Sequence, residues 1–113
     1  MPSRDEWTIL TDYLGGTEVA GGKLKEMGLT HWLDPNKGAT NESGFTALPS
    51  GIRRETGEFT NKGDLANIWT SSLDNYWEPM NFRFYCNLSS IYSSVYMGAS
   101  YTILGLSVRC IQD

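Results

Sequence analysis

Histidine and cysteine, the side chains that most often act as bases, nucleophiles or metal ligands, are scarce in this chain: one histidine, His31, and two cysteines, Cys86 and Cys110. His31 sits beside Trp32 in a polar stretch. A single histidine makes no multi-histidine metal site and leaves no obvious base for a Ser or Cys nucleophile, so His31 reads as structural. Asp34, Asn36, Asn41 and Glu42 could offer oxygens to a hard cation, but such an ion needs about six, and Asp and Asn serve more simply as turn formers. The expectation is no enzyme, no catalytic residue, no metal and no cofactor.

Recognition chemistry is abundant instead. Residues 70 to 104 contain seven Ser, five Tyr and three Asn and not one Lys. Tyr gives large, stiff, amphipathic contact area while Ser and Asn give adaptable hydrogen bonds, the composition of antibody paratopes. Met80, Phe82, Phe84, Cys86 and Leu88 are apolar at every second position, with Asn81, Arg83, Tyr85 and Asn87 between them, so a strand here buries the even set and shows the odd set to water. Ile91 and Val95 suggest the core face of a second strand, with Tyr92, Ser94 and Tyr96 pointing outward. The candidate contact patch is Leu73, Asp74, Tyr76, Trp77, Asn81, Arg83, Tyr85, Asn87, Tyr92, Ser94, Tyr96 and Tyr101. The plainer reading of the same residues is an antiparallel sheet with a polar outer face.

The length of 113 residues suits one domain, large enough to bury roughly 65% of its unfolded surface without staples. A net charge of −4 and scattered basic residues argue against a groove that neutralises phosphates, so nucleic acid is not an expected partner. No run approaches the roughly 20 apolar residues of a membrane span, and no basic-plus-apolar leader is present, so neither membrane insertion nor an export signal is expected in this chain. Both cysteines fall at core-facing positions in the alternation, which makes a buried thiol pair the default, with a bridge as the alternative.

The elements that must position the patch read as follows. Ser3-Arg4-Asp5-Glu6 has the form of a capping box, and Trp7, Leu10 and Leu14 recur at helical spacing until Gly15-Gly16 supplies the stop. Thr17 can cap a second helix through Leu24, and the internal Gly21-Gly22 pair signals close packing against another backbone. Residues 29 to 44 are loop-like. Residues 45 to 53 read as a strand irregular at Pro49-Ser50-Gly51, with further short strands at Glu58-Phe59 and Ile68-Trp69. Helices early and strands late make an α+β domain, with Trp7, Leu24, Trp69, Phe84 and Val108 lining one apolar centre.

Several segments together resemble a known family. They are Pro2 to Trp7, Gly16 to Glu26, His31-Trp32, Gly38 to Pro49, Trp69-Thr70-Ser71-Ser72 and Ser107-Val108-Arg109-Cys110, and in this order the chain resembles the Fibrobacter succinogenes major paralogous domain. The resemblance covers essentially the whole chain. It implies a C-type-lectin-like fold, with two helices packed on a twisted, mostly antiparallel sheet and residues 29 to 44 draped over it. The chain departs from the family pattern in three places. A Gly-Trp-containing strand usually precedes the position of Pro2, Leu106 stands where Phe is usual, and residues 73 to 104 differ most. A single domain over 1–113, lacking the family's first strand, is therefore expected.

Some sugar-binding lectins of this fold class chelate calcium through a Glu-Pro-Asn triplet, but here Met80 interrupts Glu78-Pro79-Met80-Asn81. Other members are variable products of diversity-generating retroelements, in which mutated Asn codons yield Tyr, Ser and similar residues, and residues 73 to 104 fit that menu. The implied function is a ligand-binding module, receptor-binding or adhesin-like, that meets a protein or cell-surface ligand. Its implied setting is a secreted, cell-surface or phage-virion protein. The alternative is a structural domain whose patch packs on a neighbouring domain or subunit.

Overall fold

The computed structural model describes residues 1–74 and 82–112. Its first helix, α1 (Arg4–Tyr13), starts at the capping box: Ser3 Oγ accepts from the Glu6 amide at 3.1 Å and the Glu6 carboxylate accepts from the Ser3 amide at 3.0 Å. The backbone hydrogen bond from Ser3 holds the Glu6 carboxyl below the usual carboxylate range. Trp7 and Thr11 face inward, and Gly15 and Gly16, at φ 105° and 102°, turn the chain. The second helix, α2 (Thr17–Leu24), corrects one expectation: Gly16 is the N-cap, no side chain caps it, and Thr17 is already helical. The Gly21-Gly22 expectation holds. A Cβ on Gly21 would collide with the Ser94 carbonyl, and one on Gly22 with the Gly38 carbonyl.

Short strands β1 (Ile52–Arg53) and β2 (Phe59–Thr60) pair with each other. Residues 45 to 50 form no named strand, and Ala47 only bridges Lys25. The second sheet is antiparallel, in the order β3 (Leu65–Asp74), β4 (Phe82–Ser89) and β5 (Tyr96–Tyr101). Ile68-Trp69, expected in a short strand, belongs to this ten-residue β3, whose register with β4 shifts between Trp69 and Leu73. The outer edge of β3 is covered by the C-terminal segment: the Trp69 amide donates to the Ser107 carbonyl at 2.9 Å and the Ser107 amide to the Asn67 carbonyl at 3.0 Å. The strand expected to begin at Ile91 begins at Tyr96, and Ile91 is exposed. Together these elements make an α+β domain with two helices and antiparallel sheets.

The core joins Trp7, Leu14, Ala20 and Leu24 of the helical layer to Trp32 and Ala47 of the long loop, and to Ala66, Ile68, Cys86, Leu88 and Val95 of the sheet region. Cys86 and Leu88 face inward as the alternation expects, but Arg83, Tyr85 and Asn87, expected in water, are half-buried, as are Phe82 and Phe84. Three residues expected in this core are elsewhere. Val108 is 55% exposed, Phe84 is half-buried beneath the Arg4 guanidinium at 4.3 Å, and Trp69 is buried on the opposite face of the sheet. The cysteines do not form a buried pair: Cys86 is buried and its thiol is pushed up to about 12, whereas Cys110 is exposed and lies outside any strand.

One side chain ties helix, long loop and sheet together. Lys25 is 0% exposed, and its ammonium donates to the carbonyls of Lys37 (2.9 Å), Ser89 (2.8 Å) and Tyr92 (2.9 Å), with the Trp32 ring centroid 5.4 Å away. Three carbonyls satisfy the three ammonium protons, which is what makes a buried lysine tolerable. Burial still lowers its pKa to about 8. Trp32, itself buried, donates its indole N–H to the Ala47 carbonyl at 3.0 Å. His31 stays at the surface, with Nδ1 2.9 Å from a Glu26 carboxylate oxygen.

Candidate recognition surface

Directly opposed residues of an antiparallel pair share a face, so strand register sorts the candidate patch. Trp69, Tyr85 and Gly98 form one row across the three strands, and Asn67, Asn87 and Tyr96 form the next. Tyr85 meets Trp69 edge-on, with ring centroids 6.2 Å apart at 89°, and Trp69 is left 8% exposed. Asn87 Nδ2 donates to Asn67 Oδ1 at 2.6 Å. Gly98 lets the Tyr85 ring lie close over β5: a Cβ at this position would lie 2.8 Å from Cζ and the hydroxyl oxygen of Tyr85, so the ring tip would have to shift. Burial, and then the neighbouring Tyr96, push the Tyr85 phenol above its ordinary range. Tyr96 projects from this floor, 63% exposed.

Arg83 and Leu73, paired with each other, share the same face. The Arg83 guanidinium is engaged by the fold: Nη1 donates to the Ser71 carbonyl at 2.7 Å and lies 3.4 Å from that of Thr70. Those carbonyls belong to the irregular stretch of β3, where Thr70 Oγ1 donates to the Phe84 carbonyl at 2.8 Å and Ser72 Oγ accepts from the Arg4 amide at 2.9 Å. The Trp69-Thr70-Ser71-Ser72 segment is thus the joint between sheet and α1.

The patch is not one face. Asp74 and Tyr101 both pair with Phe82 and belong to the opposite side, where the Tyr101 ring stands 4.4 Å from that of Phe82. Strand alternation explains the error, since Tyr96 and Tyr101 are an odd number of residues apart. Tyr92 and Ser94 are on no strand. Their loop lies against α2, where the Ser93 carbonyl accepts from the Gly22 amide at 3.0 Å and the Val95 amide donates to the Thr17 carbonyl at 2.7 Å. Ser94 is half-buried with its carbonyl against Gly21, whereas the Tyr92 ring is exposed. Tyr76, Trp77 and Asn81, together with the Glu78-Pro79-Met80-Asn81 segment, lie outside the described residues. Leu73, Arg83, Tyr85, Asn87 and Tyr96 are therefore brought to one face, with Tyr92 on the loop that leads into β5.

Sequence reasoning missed Gly98 and Lys25. Glycine between Met97 and Ala99 in a strand was a readable sign of close approach. Lys25 carried no such sign, because a lysine at a helix end is ordinarily solvated. Of the amides considered for a cation, Asn41 holds Thr46 by two hydrogen bonds and Asn36 Nδ2 donates to the Glu26 and Gly28 carbonyls. Among the described residues, no three His, Cys, Asp or Glu side chains gather in a group able to hold a metal ion.

The family model of the Fibrobacter succinogenes major domain matches residues 1–112, and the chain belongs to that family. No curated protein matches the chain, and no solved structure does.

Proposed function

We propose that this domain is a ligand-binding module that meets a protein or cell-surface ligand with the face bearing Tyr85, Asn87 and Tyr96 and with Tyr92 on the adjoining loop. One observation carries this reading: the exposed Tyr92 and Tyr96 side chains stand on main chain that other residues hold in place. Aromatic anchors of this kind gain contact area at low entropic cost when a partner covers them. Helices α1 and α2, the antiparallel sheet and the long loop suit a C-type-lectin-like fold, in which display by loops and an adjoining strand face is a natural use. A secreted, cell-surface or virion-borne protein is the setting that fits, and diversification by a retroelement would explain the Tyr/Ser/Asn bias. A DNA repeat differing from the coding sequence mainly at adenines, beside a reverse transcriptase, would support that origin, and its absence from the source genome would remove it.

The functional test is binding of the purified domain to an array of cell-surface glycans and proteins. Any ligand found should lose at least about 10-fold in affinity with Tyr96→Ala or Tyr92→Ala, while the melting temperature holds. A ligand indifferent to both changes but lost with Ile9→Ala would move the function to α1. There a groove of about 370 Å³ lined by Trp7, Leu10, Phe45 and Ile111 adjoins the exposed Ile9 and Tyr13. That groove supports a second reading that differs from the sequence expectation, a structural domain packed on a neighbour through its helical side rather than through the patch.

A further inference from the structure

The two edges of the three-stranded sheet are treated differently. Residue Ser107 covers the edge of β3, whereas among the described residues β5 has β4 as its one strand neighbour. No main-chain hydrogen bond among the described residues reaches the outer side of residues 96–100. Such edges are normally blunted by a charge, a proline or a bulge. The β5 sequence Tyr-Met-Gly-Ala-Ser-Tyr has no charge and no proline, and its six consecutive pairs with β4 run without a bulge. A row of main-chain donors and acceptors on an uncharged strand selects an extended strand as its occupant.

We propose that this occupant is β5 of a second copy, paired antiparallel about a two-fold axis normal to the sheet. Such an axis keeps each face on its own side and so must lie midway between the two copies of one residue, so that this residue opposes itself. Centred on Gly98, it sets Gly98 against Gly98, Tyr96 against Ser100 and Met97 against Ala99, so each large side chain meets a small one. Centred on Ala99, it would set Met97 against Tyr101, whose ring is already packed on Phe82. The Gly98 register is the one that takes in all of residues 96–100 while setting each large side chain against a small one. It joins two three-stranded sheets into one of six, with both copies of Tyr85 and Tyr96 on a single continuous face.

Sedimentation equilibrium tests the proposal on three proteins: the unaltered chain, Tyr96→Lys with Ser100→Lys, and Tyr96→Glu with Ser100→Glu. The unaltered chain should approach twice its 12.6 kDa mass as concentration rises from about 10 to about 500 μM. Each charged variant should dissociate at least about 100-fold more readily, because positions 96 and 100 of opposite copies face each other with like charge. Mixing the two variants should restore the dimer, which a folding defect could not do. In the unaltered chain, outer-edge amides of β5 should gain hydrogen-exchange protection with concentration and lose it on dilution. A monomer at about 500 μM, a dimer that survives the lysine changes, a mixture that stays monomeric, or β5 amides whose exchange ignores concentration would each overturn it.

Discussion

Lys25, which holds the loop between β4 and β5 from beneath, and Tyr96, with which that loop ends, have surroundings that follow opposite rules. Around Lys25 the partners are main-chain atoms of two distant segments: Lys37 from one, and Ser89 and Tyr92 from the other, converge on one buried ammonium. Around Tyr96 the main chain is fixed by β4 while the ring faces water. Tyr92 belongs to both regimes, since its carbonyl is held by Lys25 and its side chain is exposed. The difference shows how a surface can change its side chains without losing its shape: the backbone beneath must be anchored by groups that are not themselves displayed.

The sharpest way to break this contrast is to remove the anchor. Lys25→Met leaves three carbonyls without their donor and should cost about 4 kcal/mol in denaturant unfolding. A loss below about 1 kcal/mol would mean that water can replace the ammonium and that the loop needs no pin. A smaller effect tests where display gives way to scaffold. Phe84 and Tyr85 are on opposite faces of β4 yet both are half-buried, so alanine at either should cost about 2 kcal/mol. A cost at Phe84 several times that at Tyr85 would restore the simple inside-outside parity that the alternation suggests.

Proton linkage gives a third measure of the anchor. Lys25 holds its proton to about pH 8 in the folded protein, against 10.5 for an ordinary lysine. Between those values the unfolded chain binds more protons, so this group makes the folded state gain stability as pH rises. Relative to Lys25→Met, the gain should reach roughly 1–2 kcal/mol by pH 9.5. A wild-type-minus-variant difference that stays flat to pH 9.5 would show that the three carbonyls offset burial and keep the ammonium charged. The smallest effect belongs to the displayed rings: Tyr92→Ala and Tyr96→Ala should each shift unfolding by less than about 0.5 kcal/mol. Losses near 2 kcal/mol would place these rings in the scaffold.

What was legible in the sequence was local. The Ser3–Glu6 capping box, the Gly15-Gly16 stop, the tight Gly21-Gly22 pair and the inward Cys86 and Leu88 each follow from a residue's own conformational or burial preference within a few positions. What failed depended on pairing at a distance. The strand at Ile91 was displaced because its segment bonds to α2 through Ser93 and Val95 rather than extending the sheet. Asp74 and Tyr101 changed sides because each face is fixed by register across three strands, with an irregularity between Trp69 and Leu73 that a linear alternation does not carry. Val108 and Cys110 were expected inside because their segment reads as a strand, yet only Ser107 reaches β3 by a bridge and the following residues lie at the surface.

Gly98 has a consequence for how this surface can drift over generations. Because the tip of the Tyr85 ring occupies the space where a side chain at 98 would begin, a change at either position is felt at the other. A lineage that gained a side chain at 98 first would meet a clash, whereas one that first shortened Tyr85 would open the site and could then fill it. Position 98 therefore gains a side chain most cheaply once the ring at position 85 has been shortened or has swung aside.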